Sequence, residues 1–127
     1  MAGAPIVWGS KKQSLIATSS TEAEISALTT AVREAECLRA LCAELLNHHT
    51  PPLILYCDNQ PAIHIANGAK PAARTMHFGV RYAAVNEAVE RKIVSVRHMP
   101  GNDMVADALT KPLTGILFER FAAKLIA

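Results

Sequence analysis

Apolar positions recur with a helical period over the early part of the chain and in short unbroken runs after it, so helices and strands are expected to interleave. Ile25, Leu28, Val32, Ala35, Leu38, Leu41 and Leu45 stand three or four apart, which predicts one long helix with an apolar stripe; Arg33, Glu34, Glu36 and Arg39 form its wet side. Ser19-Ser20-Thr21-Glu22-Ala23-Glu24 precedes the stripe and offers two overlapping capping boxes, Ser19 with Glu22 and Thr21 with Glu24. The helix should leave through Asn47-His48-His49, before Pro51-Pro52. Upstream, Ile6, Val7, Trp8, Leu15 and Ile16 surround a polar centre, a pattern that reads as one bent strand or two short ones.

Leu53-Ile54-Leu55-Tyr56-Cys57 is a nearly continuous apolar run, as expected of a strand buried on both faces. Asp58 ends it. Asn59-Gln60-Pro61 starts the next helix, which Asn67-Gly68 closes, and the span from Ala69 to Thr75 is a loop carrying Lys70 and Arg74. Phe78, Tyr82, Val85 and Val89 mark an amphipathic helix that ends near Arg91-Lys92. Ile93 to His98 predicts a strand, Met99-Pro100-Gly101-Asn102 a turn, and Asp103 to Thr110 a short helix stopped by Pro112. Leu117, Phe118, Phe121 and Leu125 mark a closing helix. This order of elements gives an α/β class.

A chain of 127 residues, 50% of them apolar, has room for one core, so a single domain over residues 1–127 is expected. Thirteen Lys and Arg against eleven Asp and Glu give a field too weak to argue for or against nucleic acid. Cys37, Cys42 and Cys57 form an odd set without a CxxC spacing, which argues against a disulfide framework or a zinc site and for reduced, largely buried thiols. No apolar run approaches the roughly 20 residues of a membrane span, and no secretion signal opens the chain. A soluble protein of the cytoplasm or nucleus, without a membrane partner, is the expectation.

Three acids stand in settings that allow them to converge: Glu24 in the first turn of the long helix, Asp58 at the end of a buried strand, and Asp107 among apolar neighbours in Met104-Val105-Ala106-Asp107-Ala108-Leu109. Ligands of open α/β sheets gather at the carboxyl ends of strands, and hard carboxylate oxygens suit magnesium. Each acid also has a structural alternative. Glu24 closes a capping box with Thr21, Asp58 caps the helix that follows it, and Asp107 faces water.

The words around these acids resemble the ribonuclease H domains of copia-type LTR retrotransposons. Trp8-Gly9-Ser10-Lys11-Lys12-Gln13 and Ser19 to Glu24 are similar to that family's W-x-S-K-K-Q and S-S-T-E-A-E; Tyr56-Cys57-Asp58-Asn59-Gln60-Pro61-Ala62-Ile63 is similar to Y-C-D-N-Q-S-A-I. Arg74-Thr75-Met76-His77-Phe78 with Arg81-Tyr82 resembles R-T-K-H-I with R-Y, and Ala106 to Leu113 resembles A-D-x-L-T-K-P-L. Four motifs in order cover nearly the whole chain. The resemblance implies a ribonuclease H-like fold with flanking helices, and makes Glu24, Asp58 and Asp107 the second, third and fourth members of a catalytic, metal-binding acidic set. It implies magnesium or manganese as cofactor and cleavage of the RNA strand of an RNA–DNA hybrid. Lys12, Asn59, Gln60, Arg74, Arg81 and His98 become candidate substrate contacts, with Lys11 and Lys70 as further basic positions.

The family carries its first aspartate on an opening strand upstream of W-x-S-K-K-Q, whereas Met1 to Thr21 contains no acid. The expectation is therefore a truncated domain with an incomplete mixed sheet, its opening strands absent, and impaired cleavage. An open edge on the Leu53–Cys57 strand should then pair with something. Either the chain self-associates or takes a strand-completing partner, or Ile6–Ala17 rearranges to lie beside Leu53–Cys57. The contrasting functional class is a non-catalytic element-derived protein that binds protein or nucleic acid.

Overall fold

A computed structural model describes residues 5–14, 16–70 and 79–126. Residues 17–98 form one compact unit; residues 5–14 and 16 belong with 99–126 to a second.

The first unit opens with α1, Ser20–Leu46. Its N-cap is Ser19, in extended backbone, whose hydroxyl accepts from the Glu22 N–H at 3.2 Å. Glu22 answers by accepting from both the Thr18 N–H and the Thr18 hydroxyl at 2.7 Å, so of the two predicted boxes it is the Ser19–Glu22 one that forms. Asn47, at φ 51°, takes the left-handed conformation that ends the helix, as the Asn47 exit predicted. Strand β1, Leu53–Cys57, leads into α2, Gln60–Ala66, capped by the Asn59 side chain on the Ala62 N–H at 2.9 Å. Helix α3, Gly79–Glu90, follows, then strand β2, Val94–His98.

The two strands pair in parallel, with Leu53 opposite Val94 and Cys57 opposite His98. A parallel pair requires a long crossover, which α2 and α3 supply. Ile25, Leu28, Val32 and Ala35 of α1, Ala62, Ile63 and Ile65 of α2, and Val85 and Ala88 of α3 meet Cys57, Val94 and Val96 in one buried cluster, with Leu53 and Leu55 packed against it.

Five expectations are corrected here. Strand β1 is not buried on both faces: Ile54 is 42% and Tyr56 48% exposed, because the helical core covers only the face that carries Leu53, Leu55 and Cys57. The stripe of α1 sinks into the core only as far as Ala35, while Leu41 and Leu45 stand exposed where the helix has run past the short sheet. The described residues of 5–17 form no strand, and Ile6, Val7, Trp8 and Ile16 are exposed. Among the described residues the sheet is thus a two-stranded parallel one rather than mixed, and the rearranged pairing of Ile6–Ala17 with β1 does not form. Finally, only Cys57 of the three free cysteines is buried; Cys37 is exposed on the wet side of α1.

In the second unit, the predicted helix from Asp103 to Thr110 is two single 3₁₀ turns, Gly101–Asp103 and Val105–Leu109. Met104, with ψ 94°, is extended between them and breaks the α-helical path. Helix α4, Gly115–Ile126, packs on the second of these turns and buries Phe121, and its Arg120 reaches Asp103 at 3.1 Å.

Candidate metal-binding site at the end of β1

The carboxyl end of β1 is fixed by local bonding. Asn59 Oδ1 accepts from the Ala62 N–H, which starts α2, and from the Thr21 hydroxyl at 3.5 Å. Thr21 lies in the first turn of α1, so one asparagine side chain ties that turn to the strand end. The next turn of α1 then carries Glu24 to the same place. Oxygens of Glu24 and Asp58 and the sulfur of Cys57 all lie within 4.8 Å of one another. The Cys57 thiol, 2% exposed, donates to Glu24 Oε2 at 3.7 Å.

Both carboxylates lose the structural alternatives that the sequence allowed. Glu24 does not close a box with Thr21, since Glu22 takes that part and Thr21 is already inside the helix. Asp58 does not cap α2, since Asn59 does. Burial pushes the Cys57 thiol up from 9.0 to about 11; a backbone hydrogen bond at Asn59 opposes the rise, and the negative charges of Glu24 and Asp58 add to it. At neutral pH the sulfur is a neutral donor, and the anionic ligands of the cluster are oxygens. Two carboxylates backed by a neutral thiol fit a hard divalent cation such as magnesium, which binds through one or two carboxylates and keeps several waters.

The other candidates are placed unevenly. His98 sits exposed at the end of β2, directly across the sheet from Cys57. Gln60 is exposed at the start of α2. Arg81 is half-buried and donates to the Ser26 hydroxyl at 2.6 Å, while its backbone carbonyl accepts from Thr29, so it pins α3 to α1. Lys11, Lys12 and Lys70 are exposed. Asp107 lies in the other unit, within its 3₁₀ turn, paired with Lys111 at 3.0 Å. Arg74 lies outside the described residues. Sequence reasoning missed Cys57 as a member of the cluster; its position immediately before Asp58, at the end of an inward-facing alternation, was the available signal.

The chain is 35% identical over 121 residues to the retrovirus-related Pol polyprotein from transposon RE1 of Arabidopsis thaliana and 33% identical over 121 residues to that from transposon RE2 of the same plant. It is 37% identical over 117 residues to the Pol polyprotein from transposon TNT 1-94 of Nicotiana tabacum. The chain is homologous to copia-type retrotransposon Pol polyproteins. The alignments take in 95%, 95% and 92% of this Pol-like chain but only 8%, 8% and 9% of the relatives, so it spans less than a tenth of their length. No family model matches it, and no solved structure matches it. Among the described residues no helix is long and apolar enough to cross a membrane.

Proposed function

We propose that this chain forms a ribonuclease H-like domain segment of a retrotransposon Pol protein, in which Glu24 and Asp58 hold magnesium or manganese and the substrate is the RNA strand of an RNA–DNA hybrid. The observation that carries this reading is the meeting of Glu24 and Asp58 at the carboxyl end of β1, each with its capping role taken by a neighbouring residue. Homology to Pol polyproteins over nearly the whole chain supports the same reading.

A bound divalent cation supplies Lewis-acid activation of water and stabilisation of the leaving oxygen. The chain's own residues do the rest. Glu24 and Asp58 present carboxylate oxygens from two elements, held in relative position by the Thr21–Asn59 bond. Asp107 is assigned as the third acid by the motif it shares with the family. Asn59 is committed to the cap, so substrate contact on that turn falls to Gln60, with His98 at the end of β2 opposite Cys57. Lys11, Lys12 and Lys70 offer charge to the phosphate backbone, and their contribution should weaken with salt.

None of the 21 residues before Glu22 is acidic, so the 127 residues supply three of the four carboxylates that the resemblance calls for. By themselves they should therefore bind hybrid and cleave it weakly. The test is labelled RNA–DNA hybrid with magnesium, run beside Asp58→Asn. Slow, magnesium-dependent cutting that vanishes in the variant supports the assignment; cutting unchanged by the substitution, or hybrid binding with no cutting at any magnesium concentration, contradicts it. We also assign the β1 edge away from β2 to a second copy or a strand-completing partner. Light scattering behind size-exclusion chromatography should then show more than one chain per particle, or a complex once the partner is added.

A further inference from the structure

Cys57 is the last residue of β1, and its side chain shares the covered face with Leu53 and Leu55, almost wholly removed from solvent. Its Sγ lies 3.7 Å from Glu24 Oε2, and an oxygen of Asp58 completes a triangle with every edge within 4.8 Å. A tetrahedral zinc ion, with a Zn–S bond of about 2.3 Å and a Zn–O bond of about 2.1 Å, sets sulfur and oxygen about 3.6 Å apart. The observed edge is close to that requirement. A carboxylate has lone pairs enough to bind a cation while keeping other partners, so the fit does not depend on Glu24 being otherwise free.

An imidazole stands next to this triangle. Cys57 pairs with His98 in the parallel register, and the inward residues of β2 are Val94 and Val96. The two-residue alternation of a strand therefore puts His98 on the face that carries Cys57. Its ring lies outside the triangle, exposed at the end of the strand, and side-chain rotation can turn it inward. Sulfur and nitrogen donors beside two carboxylates suit zinc, whereas magnesium selects oxygen alone. The missing CxxC spacing argues against a zinc site built from neighbouring cysteines, not against one assembled by the fold.

We infer that the end of β1 also binds a thiophilic divalent cation, zinc above all, through Cys57 Sγ and one oxygen each of Glu24 and Asp58, with His98 as the fourth ligand. As the Zn–S bond forms, the S–H bond breaks and its proton passes to the solvent. The inference deepens the metal-site reading and rests on it for one consequence: zinc occupies the carboxylates proposed for magnesium and shuts the site.

The experiment uses the full chain carrying Cys37→Ser and Cys42→Ser, so that Cys57 is its only thiol, with cobalt as a coloured substitute for zinc. Cobalt should give the near-ultraviolet charge-transfer band of a sulfur ligand and the strong visible bands of tetrahedral coordination, and zinc should bleach both. Adding Cys57→Ser should remove the charge-transfer band and weaken zinc binding, measured by calorimetry, by more than about 10-fold, the least that loss of a supporting group usually costs a metal site. Manganese binding should not change with that substitution. His98→Ala should shift the visible bands and weaken zinc binding. The spectrum of the parent chain carries the claim by itself, so a variant that fails to fold does not shelter it. Cobalt bound without a charge-transfer band, or zinc affinity unmoved by Cys57→Ser, overturns the inference and leaves an all-oxygen magnesium site standing. Visible bands unmoved in His98→Ala overturn the four-ligand site. A charge-transfer band combined with no manganese binding by the parent chain upholds the zinc site and overturns the hydrolase reading instead.

Discussion

Glu22 and Glu24 stand two residues apart on α1 in opposite circumstances. Glu22 is 1% exposed and bound to both donors of Thr18, so its carboxylate is part of the helix start. Glu24 meets Cys57 and Asp58, so its carboxylate sits where negative charge accumulates. Glu22→Ala should therefore lower stability by about 1–3 kcal/mol, through loss of the cap and an unpaired Thr18 N–H. Glu24→Gln relieves the repulsion between two neighbouring carboxylates and leaves the helix start intact, so in metal-free buffer it should cost less than Glu22→Ala. Urea unfolding of both variants checks the contrast; equal losses would mean that Glu24 is structural too. Cys57 supplies a second test at this scale. Its folded value of about 11 lies above the unfolded 9.0, so the protonated thiol favours the fold. That contribution is fully present below pH 9 and is lost as pH rises through 11. Between those limits wild type should lose stability relative to Cys57→Ala in parallel urea titrations. At pH 8, iodoacetamide should label exposed Cys37 well before Cys57.

At the scale of elements, much of the unit from 17 to 98 was legible in the sequence. The Ser19–Glu22 box, the Asn47 exit, the apolar run of β1 and the Asn59-Gln60-Pro61 start of α2 each rest on neighbours within a few residues, and each element forms where the pattern placed it. What the pattern missed depends on distant residues. An apolar run states that a strand wants cover, but whether one face or two receives it is decided by helices elsewhere, and Ile54 and Tyr56 remain exposed. The stripe of α1 likewise continues to Leu45 although the sheet it packs on is only five residues long. Arg39 is a tertiary tie of this kind. It was read as part of the wet face of α1, yet its guanidinium donates to the carbonyls of Thr50, Lys92 and Ile93, clasping the helix to the entrances of both strands. Arg39→Ala should cost about 1–3 kcal/mol, and Arg39→Lys should recover only part of it, because an ammonium cannot span three carbonyls in a planar fork. Thermal melts of the two variants measure this; a lysine variant as stable as wild type would show that charge near the strand entrances suffices.

For the molecule as a whole, the candidate site was half legible. The sequence named Glu24 and Asp58, and the fold of residues 17–98 brings them together through the parallel register and the Thr21–Asn59 bond. It did not place Cys57 in the cluster, since an apolar run taken as buried on both faces hides the alternation that turns Cys57 inward. Asp107 was named by its motif, and its 3₁₀ turn and Lys111 partner are the structural facts now attached to it. Glu24 and Asp58 are proposed to grip one divalent cation, and manganese reports its own location because it broadens the NMR signals of nearby nuclei. Substoichiometric manganese added to the labelled protein should broaden the amides around Glu24, Asp58 and His98 first, and Asp58→Asn should abolish the pattern. Broadening that instead follows exposed acids such as Glu34, Glu44 and Glu119, or that survives Asp58→Asn, would mean that the end of β1 holds no cation site.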